Sequence, residues 1–257
     1  MSWGPLLVNL GVTAVTVAVL MLATFWYAMR TRVHAIMDTV WALGFVIIAA
    51  VSFGLSAGDG VPGRRGLVLV LTAVWGVRLS AHICLRNRGQ GEDKRYASLL
   101  RRNTGSLAAF VLRHIYWAQG RVMWFVSLPL QVAMYEHAAL SSVTWLGVAV
   151  WAVGFGFETV GDWQLRRFRA SPFNAGQVLD RGLWRYTRHP NYFGVLNMTR
   201  AFAPVLGADG GGYSRTVRFV PAAGGRTGIV AADMHATDRE HGTGLEGELC
   251  NTLIRFV

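Results

Sequence analysis

Five stretches of this chain stay apolar for about 20 residues at a time, and that length leaves few folds open to it. They run over residues 5–27, 36–56, 66–85, 115–135 and 142–161. At about 1.5 Å of rise per residue, each one as a helix covers the roughly 30 Å of hydrocarbon in a bilayer. With 53% hydrophobic and only 15% charged residues, the sequence predicts an all-α, polytopic transmembrane bundle. The first stretch lacks a basic leading segment and is too long for a typical signal core, so it is expected to be a retained helix. A sixth span is doubtful: Val195 to Leu206 is short and interrupted by Arg200 and Pro204.

A net charge of +11 in a soluble protein would point to nucleic acid, but its placement here points to topology. Arg86, Arg88, Lys94, Arg95, Arg101, Arg102 and Arg113 follow the third stretch, and Arg166, Arg167, Arg169, Arg181, Arg185 and Arg188 follow the fifth. The connection around Glu136 and His137 has no such cluster. The positive-inside rule then puts both basic loops in the cytoplasm and the N-terminus outside. No nucleic-acid partner is expected.

The chain changes character late. All ten tryptophans lie at or before Trp184, while residues 207–257 hold ten of the 30 glycines and no helical or strand periodicity. Residues 1–206 read as the membrane domain and 207–257 as a loosely ordered tail. Cys84 and Cys250 have no paired spacing, so neither a disulfide framework nor a thiolate metal site is indicated.

Two segments carry chemistry. Glu158, Asp162 and Arg166 follow one another at steps of four, so a helix stacks them on one face, where Asp162 and Arg166 can pair and Glu158 lies a turn deeper. A carboxylate at that depth is costly unless it faces a protein interior or a wet cavity. The acids can accept hydrogen bonds from hydroxyl or amide groups of a cofactor; equally, they can form a helix end whose charges reach the interface and are met by Arg166 and Arg167. Downstream, Ser171 to Gly176 and Asp180-Arg181-Gly182 read as turns. They lead into Gly182-Leu183-Trp184-Arg185-Tyr186-Thr187-Arg188-His189-Pro190-Asn191-Tyr192-Phe193-Gly194. There a guanidinium can grip a phosphate or carboxylate bidentately, and His189 and Tyr192 can donate hydrogen bonds. The competing reading is a basic-aromatic anchor at the bilayer interface.

That run resembles the C-terminal signature of the steroid 5-alpha-reductase family, especially its bacterial branch, and more distantly the isoprenylcysteine carboxyl methyltransferases. Met37-Asp38-Thr39-Val40-Trp41-Ala42-Leu43-Gly44-Phe45 is similar to the branch's acid-and-tryptophan second helix. The likeness continues through Trp75 to Ile83, Arg86 to Gly89, Glu92-Asp93, Arg95-Tyr96, Ser127 to Gln131 and Glu158 to Asp162, and so covers about residues 1–194. It implies a bacterial inner-membrane reductase that uses NADPH to reduce an enone-type carbon–carbon double bond of a sterol or other lipid, with its cofactor site facing the cytoplasm. It also implies that Glu158, Asp162, Arg166, Asn174, Tyr186, Arg188, His189, Asn191 and Tyr192 contact the dinucleotide. Asp38, Trp41, Arg78 and His82 lie where the family places its lipid cavity; a structural pairing of Asp38 with Arg78 fits the residues as well. No catalytic acid is assigned. The methyltransferase likeness leaves S-adenosylmethionine as the alternative cofactor, and a non-catalytic membrane protein is the third reading.

The chain departs from the resemblance after Gly194. Val195 stands where the family carries an acid, and nothing beyond it reproduces the family's closing glutamate-and-tyrosine segment. A tail rich in Gly, Arg and Ala, in a chain with 24 Arg and one Lys, is what a shifted reading frame in GC-rich DNA produces. On that hypothesis, an apolar helix and a closing Glu/Tyr segment lie in another frame downstream of codon 194; their absence from both other frames would reject it. Part of the cofactor wall would then be missing and activity impaired. His235, Asp238, Glu240 and His241 sit in the glycine-rich tail without an established helix, and no metal is expected there.

Overall fold

The computed structural model describes residues 3–101 and 103–186. Those residues fold as helices and connecting turns with no strand among them, in two compact units divided between Leu140 and Ser141. The sixth-span segment, the tail and its four metal-type residues lie outside the described residues.

Four helices are long and apolar enough to cross a membrane: α1 (Trp3–Thr31), α2 (Ile36–Leu55), α3 (Pro62–Asn87) and α8 (Ser142–Arg169). Two of them carry exposed aromatics near both ends, Trp3 with Trp26 and Tyr27 on α1, and Trp145 with Trp163 on α8. At 1.5 Å per residue these girdles are about 27–35 Å apart along each helix, the spacing of two bilayer interfaces. Arg30 lies over the Trp26 ring at 4.3 Å and Arg167 over Trp163 at 5.6 Å, so at one end of each helix a cation is seated on the anchor.

The stretch 115–135 differs from expectation. It belongs to a broken run: α5 (Leu107–Val111), a π-helical turn (Leu112–Trp117), α6 (Ala118–Val126) and α7 (Leu128–Met134). Pro129 has no N–H to continue the ladder, and Ser127 forms the joint, its Oγ donating to Trp124 O at 2.7 Å. No single helix here reaches membrane length; between α4 (Lys94–Leu100) and α8, the broken run is the long apolar element.

In the first unit α2 and α3 pack most closely. A Cβ added at Gly76 would stand 2.8 Å from the Ala42 carbonyl oxygen, which belongs to the backbone and cannot swing away. Ser80 Oγ donates to Thr39 O at 2.8 Å across the same seam. These small residues let two backbones approach where lipid offers no hydrophobic drive to press them together.

Polar side chains tie α1 to α6 and α7. Gln131 Oε1 accepts from Asn9 Nδ2 at 3.0 Å and from Thr13 Oγ1 at 2.7 Å, and its Nε2 donates to Ser127 Oγ at 2.8 Å. Asn9, Thr13 and Gln131 are wholly buried. Gln131→Leu keeps the volume but leaves the buried Asn9 amide without this acceptor and Ser127 without its donor, a loss of about 1–2 kcal/mol. The expected outcome is a fall of roughly 2–8 °C in the melting temperature of the detergent-purified chain, measured by fluorescence thermal melting against wild type.

Arg64 and Arg65, only 7% exposed, explain themselves structurally. Arg64 donates to the carbonyls of Ala138 and Ala139 at 3.1 Å each. Arg65 donates to Ser56 Oγ at 2.8 Å and to Phe53 O, covering the negative end of α2. Both guanidiniums are thus engaged by carbonyl and hydroxyl oxygens at the start of α3.

Candidate functional site

One polar cluster forms where α2 begins. The helix starts at Ala35, which offers no capping side chain, and the missing acceptor comes from Glu92, in the loop before α4. Its carboxylate accepts from His34 N at 2.6 Å, Ala35 N at 3.0 Å and Asp93 N at 3.0 Å. The next residue, Asp93, caps the N-terminus of α4 by accepting from Arg95 N at 2.7 Å.

That short helix then supplies the partner of Asp38. Arg95 Nη2 meets Asp38 Oδ2 at 2.7 Å, and the Tyr96 hydroxyl donates to Asp38 Oδ1 at 2.8 Å. Asp38 is 4% exposed, so the pair answers the question its sequence position raised: the acid is held by Arg95 and Tyr96, from a segment 57 and 58 residues away. Burial and the adjoining Asp38 carboxylate push the Tyr96 phenol well above its usual range, so it keeps its proton at any physiological pH.

Trp41 lies one turn below Asp38 on α2. Its indole N–H is buried and meets no acceptor among the described residues. Its ring packs edge-on against Phe45 at 4.8 Å, and Phe45 against Trp75 of α3 at 5.8 Å. On α3, Trp75, Arg78 and His82 succeed one another at steps of three and four, so they form one stripe, with Arg78 and His82 half-buried. The four candidate substrate-side residues thus lie on the paired helices α2 and α3, with an aromatic wall between them.

His34 closes the cluster. It is 3% exposed, and its Nδ1 lies 3.0 Å from the Tyr116 hydroxyl. Burial holds the imidazole below its ordinary pKa of 6.5, against the opposing pull of Glu92. The unfolded chain takes up a proton near pH 6.5 that the folded chain resists, so His34 contributes stability at neutral pH that is lost as pH falls below about 6.5. Melting temperatures of wild type and His34→Gln, compared between pH 7.5 and 5.5, are expected to show a steeper acid-side decline in wild type; parallel profiles would assign that decline to other groups.

In the second unit, Glu158 and Asp162 are 1% and 5% exposed, on a buried α8 stripe with Trp151, Gly154 and Gly161. Arg166, a turn further, is exposed. After α8, 3-10 turns at Pro172–Asn174 and Gly182–Arg185 bring the chain back to the helix. Asn174 Nδ2 donates to Phe168 O at 2.8 Å, closing the end of α8. Leu183 N donates to Gln164 Oε1 at 3.0 Å and Trp184 Nε1 to Gly161 O at 3.1 Å. Gly182 makes this return possible: it sits at φ 61°, and a Cβ there would strike the Gln164 side chain.

Among the candidate cofactor residues, the structure therefore buries Glu158 and Asp162 together, leaves Arg166 and Tyr186 exposed, and commits Asn174's amide to the helix end. Arg188, His189, Asn191 and Tyr192 lie outside the described residues. Sequence reasoning missed the structural roles of Glu92, Arg95, Tyr96 and Gln164. Only Arg95-Tyr96 and Glu92-Asp93 had a signal, and that signal was the resemblance.

Long apolar helices with interfacial aromatics and buried acids define a helical integral-membrane protein. A family model described as a protein of unknown function, DUF1295, matches residues 24–201, and the chain belongs to that family. The match runs from the last part of α1 through both acid-bearing helices into the basic-aromatic run. Neither the curated proteins nor the solved structures contain a match to it.

Proposed function

We propose that the chain is a membrane-embedded, NADPH-dependent reductase of a carbon–carbon double bond in a sterol or other lipid, impaired by its altered C-terminal segment. The observation that carries this reading is on α8: two carboxylates, one turn apart and almost fully buried, with Gly182–Arg185 pinned to the same helix. The start of the basic-aromatic run is thereby held close to the acids. The donor set suits the dinucleotide: carboxylates accept from ribose hydroxyls or a carboxamide, and arginines of the run suit phosphates. Bound NADPH would supply the hydride.

The chain's own residues serve the substrate. The Trp41, Phe45 and Trp75 rings, packed edge to face, offer an apolar aromatic surface to a lipid ring system, and the Trp41 N–H is a buried donor ready for a carbonyl. Such a hydrogen bond draws electrons toward the carbonyl and favours hydride addition at the conjugated carbon. In the same reading the broken run from α5 to α7 is the fifth crossing, about 40 Å along its path. The membrane is a bacterial inner membrane, with the N-terminus outside and the cofactor side cytoplasmic.

The test is isotopic. Purified chain in detergent is given a mixture of enone lipids with NADPH deuterated at C4. The expected product gains one deuterium at the β-carbon; methyl transfer from labelled S-adenosylmethionine, or no product with either cofactor, contradicts the reading.

A further inference from the structure

Three buried polar atoms stand unspent at the other end of the first unit, where α1 begins and α2 and α7 finish. Asn9 Oδ1, Ser52 Oγ and Tyr135 Oη meet no hydrogen-bond partner among the described residues, and all three residues are 0% exposed. A circuit of contacts runs between them. Asn9 gives its amide N–H to Gln131, and Tyr135 follows Gln131 by one turn. Ser52 precedes by one turn Ser56, whose hydroxyl accepts from Arg65. Arg65 and Asp59 in turn stand near enough to act electrostatically on the Tyr135 phenol. The three residues therefore sit on or beside α1, α2 and α7, which pack against one another pairwise.

We propose that they line an internal site that holds water. The chemistry selects that ligand over an ion or an organic molecule. Asn9 Oδ1 only accepts, whereas the serine and tyrosine hydroxyls both donate and accept, so the occupant must donate and accept in turn. The three groups are uncharged. The nearby guanidinium is already occupied by Ser56 and Phe53, and Asp59 opposes its sign, so no net charge calls for a counter-ion. A buried polar atom left without a partner costs about 1–3 kcal/mol, and water bound beside it offsets that cost. This inference does not depend on the reductase reading.

Radiolytic hydroxyl footprinting of the purified full chain tests it, because radicals form from the bound water itself. Tyr116, also 0% exposed but with its hydroxyl beside His34, is the internal control. Tyr135 is expected to gain oxygen several times faster than Tyr116, and Ser52→Ala with Asn9→Leu is expected to bring it down to the control rate. Thermal melting gives a second reading: Tyr135→Phe lowers the melting temperature if the phenol holds a water, and leaves it unchanged or raises it if the phenol is orphaned. Labelling no faster than Tyr116, or a Tyr135→Phe chain at least as stable as wild type, would overturn the proposal.

Discussion

Gly76→Leu is expected to destabilise the first unit severely. The added side chain begins 2.8 Å from the Ala42 carbonyl oxygen and 2.5 Å from Val46 Cγ2, so α2 and α3 must separate to admit it. Separation also breaks the Ser80–Thr39 hydrogen bond and pulls Trp75 from Phe45. The cost is on the order of 3 kcal/mol or more, a melting point lowered by roughly 6–12 °C for a chain of this size. Size-exclusion recovery and thermal melting of the purified chain check it. Gly76→Ala, which meets the same oxygen with one methyl, is expected to fall between the two; a leucine variant as stable as wild type would mean that the helices are not in backbone contact.

The second large effect concerns the acids of α8. Glu158→Gln with Asp162→Asn keeps the shape of both side chains and removes both charges from a buried stripe. If each accepts one hydrogen bond from the dinucleotide, losing two charge-assisted bonds of about 1.5–3 kcal/mol each weakens NADPH by at least about 100-fold. A drop in stability with unchanged affinity would return the acids to a structural role.

The parts of the fold legible in the sequence are those that composition alone determines. Four of the five apolar stretches became single helices, because a run such as Trp3–Thr31 has nowhere else to put its side chains. The stretch 115–135 misled because apolar composition says nothing of continuity: Pro129 was visible, but the π-helical turn at Leu112–Trp117 and the joint at Ser127 depend on neighbours. The candidate site divides in the same way. The Glu158 and Asp162 stacking follows from a step of four within one helix. Glu92 reaching His34, and Arg95 reaching Asp38, join residues more than fifty positions apart, and no local spacing encodes that. The start of α2 makes the point: Ala35 offers no capping side chain, and the cap is a carboxylate from another loop.

On the proposed reading, the carboxylates of α8 and the adjoining run hold a dinucleotide. Titrating the detergent-purified chain with NADPH, reading energy transfer from tryptophan to the reduced nicotinamide, measures this most directly. The account predicts saturable transfer that NADP competes away, that S-adenosylmethionine does not displace, and that the Glu158→Gln, Asp162→Asn double variant loses. Tryptophan emission unmoved by NADPH, or a saturable response to S-adenosylmethionine instead, would contradict it.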